Sequence, residues 1–340
     1  MDKNHLIVFT GRSQVELLEA DIPVAGANQV LVKLEVSQIS TGTELTYLEG
    51  NVGQGSAWEK DIVFPRYPGY SGIGKIVAVG EGVSEELIGK RIGTSLKHQQ
   101  YQVVNMDRIG NGLQFIPEGV AASDAVFATI SCITMASIRG AKIRPGDVCV
   151  VFGAGLVGQL VARNARLAGA STVIVADVSD LRLGLAPKEP GFITINSKTV
   201  DMPQYVLSQT EGRGADIVFE TTSLPTLIET EAHCLCKRGT LVITSSPKGK
   251  STLDFEYCCR KGLTIIGAHN HAIHTPVETP ADRWTRNNDT RYFLELASKK
   301  MIDVDQLHTH KYHYKDAVSA YEMLMADRTQ ALSVIIDWED

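Results

Sequence analysis

Residues 148–177, VCVVFGAGLVGQLVARNARLAGASTVIVAD, constrain the fold of this chain more than any other stretch. A valine-rich run of strand length ends at Gly153, Gly155 and Gly158. Apolar residues at helical spacing follow, and a second apolar run ends at Asp177. Strand, tight turn, helix and strand in that order make a βαβ unit, whose two strands must lie parallel. Each glycine has a separate reason. The first permits the turn, the second lets a pyrophosphate approach the backbone, and the third lets helix and strand pack closely. Leu156 and Val157 sit where the helix begins, and its free N–H groups offer an anion site. Asp177 ends the second strand, where a carboxylate accepts hydrogen bonds from ribose hydroxyls and repels a 2′-phosphate. The expected cofactor is therefore NAD. Arg182, which would greet that phosphate if it turned inward, Thr222 and His269 complete the candidate dinucleotide contacts.

Further alternation follows in ADIVFETTS, LPTLIETEAHCLCKRG, TLVITSS and LTIIGAHN, so the sheet extends with helices on both faces. The part before residue 125 differs. HLIVFT, QVLVKLEVSQIS, SGIGKIVAVG and KRIGTSL are short β-type runs separated by Gly, Pro and Asn, as in an irregular β-domain. The last part, from TRYFLELASKKMI onward, reads helix, loop, helix, strand, with HTHKYHYKD as a polar loop. The fold class is α/β.

At 340 residues there is room for about two domains. Lys and Arg total 33 against 39 Asp and Glu, a net charge of −6, which gives no basic footprint for nucleic acid or an anionic membrane. The N-terminal run lacks a signal-peptide core, and no apolar run reaches membrane-spanning length. A cytoplasmic location is expected, and the six cysteines, which lack metal-finger spacing, read as free thiols.

The β-rich first part, the segments STGTE and GYSGIGKIVAVG, and the central glycine fingerprint occur in an order that resembles the medium-chain dehydrogenase/reductase superfamily over nearly the whole chain. ISTGTELTYLEG and YPGYSGIGKI look most like the branch containing bacteriochlorophyllide dehydrogenase and sugar-linked oxidoreductases. The resemblance implies a GroES-like catalytic domain over residues 1–125, a Rossmann domain over 126–275, and a segment over 276–340 returning to the first. It also implies a substrate cleft at their junction and a homodimer or homotetramer.

Zinc members of the superfamily carry a Cys-Gly-Ser/Thr-Asp run and a Gly-His-Glu triplet. Here the first reads Thr41, Gly42, Thr43, Glu44 and the second Gly69, Tyr70, Ser71. Thr129 aligns with the third ligand, and Cys132 lies three residues beyond it. The four-cysteine structural-zinc lobe is missing from residues 91–108. No metal is expected, the alternative being a relocated site drawn from His98, His269, His271 and Glu44. By the resemblance, Thr43 stands at the hydroxyl relay position, Tyr70 where a ligand histidine points into the cleft, Glu44 at an acid behind it, and His98 beside the cleft. These four are the catalytic candidates, the alternatives being packing or a turn hydrogen bond for Thr43, packing for Tyr70, a solvated carboxylate for Glu44 and a structural role for His98.

Asn270 and His271, just past a Rossmann strand, and Trp284 in DRWTRNND are candidate substrate contacts, an aromatic plate suiting a sugar ring. The expected activity is zinc-independent, NAD-dependent interconversion of a polar secondary alcohol and its ketone, the alcohol being a sugar, polyol or cyclitol derivative. Reduction of quinones or enones with NAD(P)H is the runner-up, and a nicotinamide-binding redox sensor without turnover is the rival from another class.

Overall fold

The structure, a computed structural model, describes residues 3–269 and 273–339. The chain divides into two compact units. The first comprises Met1–Asn51, Ala57–Ile130 and Val277–Asp340, and the second Val52–Ser56 and Ser131–Pro276.

In the first unit β1 (Asn4–Gly11) and β2 (Gln14–Ala20) form a hairpin. The larger sheet runs β14 (His308–His313), β15 (Ser333–Asp337), β3 (Gln29–Ile39), β4 (Gly72–Val79), β5 (Arg91–Thr94) and β7 (Leu113–Phe115), with β6 (Tyr101–Asn105) paired to β3. All pairs are antiparallel except β14 with β15. Helices α1 (Thr43–Glu49), α2 (Ala122–Ala125), α9 (Arg286–Ser298) and α10 (Ala317–Asp327) complete the unit. Its core gathers Phe9, Leu34, Leu45, Leu48 and Ile76 with Tyr314, Tyr321, Val334, Ile336 and Trp338. Burial of these C-terminal side chains is why the chain's end belongs to a sheet begun by its start.

HTHKYHYKD is a correction to the sequence reading. Residues 308–313 are strand β14, not loop, in parallel register from His308↔Ser333 to His313↔Asp337. Phe127 stacks on His308 with ring centroids 4.8 Å apart, and Tyr312 packs on the core. Tertiary pairing overrides a polar composition here.

The second unit is a six-stranded parallel sheet ordered β10 (Phe192–Asn196), β9 (Thr172–Asp177), β8 (Val148–Phe152), β11 (Ala215–Glu220), β12 (Leu235–Ile243) and β13 (Thr264–Gly267). Numbered within the unit this is 3-2-1-4-5-6, the doubly wound Rossmann order. Helix α3 (Ala128–Ala141) leads into it, and α4 (Leu156–Leu167), α5 (Asp180–Gly184), α6 (Met202–Gln209), α7 (Ile228–His233) and α8 (Phe255–Lys261) connect the strands. One core layer packs Val161, Ala162 and Ala165 of α4 on Val151, Val173 and Phe219. The other packs Val206 of α6 and Ile228 and Ala232 of α7 on Val150, Val218 and Leu241. In LPTLIETEAHCLCKRG only residues 228–233 form an α-helix, and β12 already begins at Leu235. Among the described residues no helix is long and apolar enough to cross a membrane.

Candidate active site

The dinucleotide candidates assemble at the C-terminal ends of β8, β9 and β11. Gly153 follows β8 with φ +99°, a conformation open to glycine at little cost. A Cβ on Gly158 would lie 1.8 Å from the Gly153 carbonyl oxygen, so only glycine lets α4 start against the strand. Gly155 is the N-cap of α4, and Leu156 and Val157 form its first, half-buried turn. Asp177 is nearly buried. One carboxylate oxygen accepts the Ala154 N–H at 2.6 Å, and the other accepts those of Val178 and Ser179 at 2.7 and 2.8 Å. The acid therefore ties the glycine turn to the end of β9.

Arg182 lies on α5 in a half-buried position, and its carbonyl accepts from the Gln159 amide at 2.8 Å. Thr222 spends its hydroxyl on Glu220, 2.8 Å away, and accepts the Leu224 N–H. His269 is exposed just past β13, while Asn270 and His271 lie outside the described residues.

Sequence reasoning missed Thr221. Its hydroxyl donates to the Phe152 carbonyl at 2.7 Å and lies 3.1 Å from that of Gly153. A Cβ at Gly153 or Gly158 would come within 2.7 or 2.9 Å of it. The hydroxyl thus occupies the space both glycines leave.

In the first unit the four catalytic candidates converge. Thr43 and Glu44 open α1, so the helix fixes their spacing. The Tyr70 hydroxyl donates to Ser40 Oγ. Burial pushes the Tyr70 phenol up to about 12, against the opposing hydrogen bonds of Ser40 and Thr43. It keeps its proton across the neutral range and is suited to donate it in the reduction direction. Glu44 Oε1 accepts the Ser40 N–H at 2.9 Å, so Glu44 reaches Tyr70 through Ser40.

His98 has no exposed surface. Its Nε2 lies 3.0 Å from Glu44 Oε2, and its Nδ1 lies 2.7 Å from Ser37 Oγ. Trp338 Nε1 donates to the same Ser37 oxygen at 2.8 Å, and the Tyr321 hydroxyl donates to Glu44 Oε2 at 2.6 Å. Because the Glu44 carboxylate accepts, Nε2–H donates to it, and Nδ1 of the neutral ring then accepts the Ser37 hydroxyl proton. The hydrogen-bond network assigns this tautomer. Burial, and behind it Glu44, holds the Tyr321 phenol well above its ordinary range. His98, Glu44 and Tyr321 therefore form a sealed support behind Ser40, Thr43 and Tyr70. Ser40 opens the STGTE run but was not singled out, and Ser37, Tyr321 and Trp338 had no sequence signal, because elements far apart in the chain bring them to His98 and Glu44.

Trp284 is half-buried, with the Arg283 guanidinium 4.5 Å from its ring and Tyr292 edge-on at 5.7 Å. Nearby, Asn287 accepts from Gly112 N and the Gln114 amide, a structural tie between α9 and β7.

The residues at the metal positions are Thr41, Tyr70, Ser71 and Thr129. Ser71 gives its hydroxyl to the Val126 carbonyl, and Thr129 Oγ1 is buried without a partner. Zinc takes thiolate, imidazole or carboxylate, and neutral hydroxyls do not fit it. Among the described residues no group of three His, Cys, Asp or Glu is placed to hold a metal. The glycine turn, by contrast, fits a dinucleotide, because Gly155 at the N-cap of α4 faces open space in which a pyrophosphate can approach the backbone.

Comparison with known proteins bears on this arrangement. The zinc-binding dehydrogenase family matches residues 157–281. An uncharacterised zinc-type alcohol dehydrogenase-like protein of Escherichia coli K12 is 22% identical over 99% of this chain and 100% of its own. The chain thus matches the zinc-binding dehydrogenase family over residues 157–281 and is similar over its whole length to a zinc-type alcohol dehydrogenase-like protein. The fold matches several solved dehydrogenase structures. Galactitol-1-phosphate dehydrogenase of Escherichia coli has a TM-score of 0.79 at 19% identity, over 98% of this chain and 99% of that one. A zinc-binding dehydrogenase of Sinorhizobium meliloti 1021 bound to NADP has 0.80 at 17%, over 99% and 100%. A short chain alcohol dehydrogenase of Escherichia coli CFT073 complexed with NADH has 0.81 at 20%, over 99% and 100%. This chain departs from the name of the family it matches at each metal position just described.

Proposed function

We propose that the chain is a zinc-independent, NAD-dependent oxidoreductase that interconverts a polar secondary alcohol and its ketone. The observation that carries this reading is the pairing of Tyr70 and Thr43 over Ser40, on a buried His98–Glu44–Tyr321 support, where zinc members place metal ligands. When bound, the nicotinamide supplies a hydride acceptor for the alcohol carbon or a hydride donor to the ketone. The chain's residues manage the oxygen. In reduction, Tyr70 donates its phenolic proton to the developing alkoxide, which substitutes a positioned hydrogen bond for a Lewis acid. Ser40, hydrogen-bonded to the phenol, then relays a proton taken up from solvent back to Tyr70, and Thr43 holds the oxygen in line. In oxidation the same path runs backwards.

Asp177 supports NAD, since a carboxylate at the end of β9 favours ribose hydroxyls over a phosphate. The polar substrate class is supported by the galactitol-1-phosphate dehydrogenase likeness and by Trp284 beside Arg283. Association into a homodimer or homotetramer is supported by β13, an edge strand on which Thr264 and Ile265 are exposed. A cytoplasmic site of action accords with six cysteines that form no disulfide, five of them buried.

Initial rates on a panel of polyols, sugar phosphates and ketones with NAD(H) and NADP(H) test the reading. Turnover with NAD(H) is expected. A clear NADPH preference with activity only on quinones or enones would replace it with a quinone reductase. NADH binding without turnover of any member would favour a sensor.

A further inference from the structure

Glu220 and Glu231, two carboxylates of the Rossmann unit, are both fully buried, and the protein treats them unequally. Glu220 ends β11. Its Oε1 accepts the Thr222 N–H at 2.6 Å, the Thr222 hydroxyl at 2.8 Å and the Ser223 N–H at 2.7 Å, and its Oε2 accepts the Ser245 hydroxyl. Its backbone carbonyl accepts the N–H groups of Thr244 and Ser245 just past β12. One side chain thus holds the ends of two adjacent strands and forces the turn in which Ser223 adopts φ +65°. The next residue, Thr221, carries the hydroxyl that fills the space beside Gly153 and Gly158.

Glu231 lies on α7, and both of its carboxylate oxygens are without a hydrogen-bond partner. Four donors solvate Glu220 as an anion, whereas nothing solvates Glu231. A buried carboxylate with no donor keeps its proton. Burial, and behind it the charge of Glu220, pushes the Glu231 acid up to about 9.

Helix α7 packs on α6, β11, β12 and the turn at Pro225–Leu227. The ionisable groups on these elements are Tyr205 on α6, Asp216 and Glu220 on β11, and Cys236, Lys237 and Arg238 on β12. Glu229, His233 and Cys234 lie on or just after α7 itself. Asp216 is paired with Arg213, while Glu229, Lys237 and Arg238 are exposed. His233 packs edge-on to Tyr257, and burial, with the charges of Glu231 and Asp201 behind it, raises the Cys234 thiol. No cation among them is positioned to share the charge that a second ionised acid would add.

We propose that Glu220 is a positioning residue for the dinucleotide turn, and that Glu231 beneath it makes pyridine-dinucleotide affinity fall when it loses its proton. This rests on the dinucleotide reading of Gly153–Gly158 given above. On ionising, Glu231 releases its proton to solvent and leaves a second buried negative charge that repels Glu220, on a helix whose Ile228 and Ala232 pack in the apolar core. The cheapest relief moves Glu220, and with it Thr221–Ser223, away from the geometry that packs the glycine turn.

Fluorescence titration of the full chain with NADH between pH 6 and 10 tests this. The wild-type Kd is expected to be level to pH 8 and about tenfold weaker at pH 10, because only the protonated fraction is competent. Glu231→Gln, with nothing to ionise, gives a level profile, and Glu231→Leu repeats the test should the glutamine variant fold poorly. Glu220→Gln weakens NADH binding at every pH. A wild-type profile that is level, or that both Glu231 variants reproduce, overturns the proton linkage. Wild-type affinity in Glu220→Gln overturns the positioning role. Absence of both NADH and NADPH binding at pH 7 defeats the dinucleotide reading and this proposal with it.

Discussion

Replacing Glu231 by glutamine should make the Rossmann unit more stable at neutral pH. In the unfolded chain the acid titrates near its ordinary 4.5, and in the folded unit near 9. A pKa raised by folding gives stability that is whole below about pH 4.5 and is lost as pH rises through about 9. At pH 7 the accumulated loss is about 3 kcal/mol, from 2.5 pH units at about 1.4 kcal/mol each. Glutamine keeps the shape and a neutral polar head, so it removes this loss while leaving the packing on Ile228 and Ala232 nearly intact. The gain should be about 3 kcal/mol at pH 7 and under about 1 kcal/mol at pH 5. For a unit of this size the pH 7 gain corresponds to roughly 6–12 °C in Tm. Trp58, Trp284 and Trp338 all belong to the other unit. Urea unfolding of both proteins at pH 5 to 9 is therefore followed by circular dichroism. A stability difference that stays constant across that range would refute the reasoning.

Other outcomes follow from the same geometry. Gly158→Ala places a Cβ against the Gly153 carbonyl and should abolish NADH binding and lower Tm; an unchanged Kd in titration would contradict the packing argument. Tyr70→Phe should cut kcat about 100-fold with little change in KM, the scale of a lost proton donor. Steady-state kinetics with an unchanged kcat would take Tyr70 out of the chemistry. Asp177→Ser should lower kcat/KM for NAD roughly 10- to 100-fold, as expected for a lost charged hydrogen bond, and raise relative use of NADP; an unaltered NAD/NADP ratio would count against Asp177 as the selector.

The βαβ unit was readable because its information is local: VCVVF, three glycines and a strand ending in Asp177 lie in one run of sequence. Thr41, Tyr70 and Ser71 were likewise readable as departures, since they stand inside a recognisable spacing. The support behind them was not. His98 looked like a polar residue beside a cleft, yet it is sealed between Ser37 and Glu44. Its partners come from β3, α1, α10 and the end of β15, and no spacing announces such a meeting. Strand β14 was hidden for a related reason: HTHKYH carries no apolar alternation, and only pairing with β15 makes it a strand. Glu220 and Glu231 were invisible as a pair because ETTS and ETEAH each read as an ordinary polar end of an element.

The central claim, hydride transfer without zinc, meets its most direct test in metal analysis of the purified protein joined to activity in chelator. Substoichiometric zinc, with NAD-linked oxidation of a polar alcohol unchanged after chelation, is the predicted result. One equivalent of tightly held zinc per chain, with activity lost on its removal and restored on its return, would contradict it.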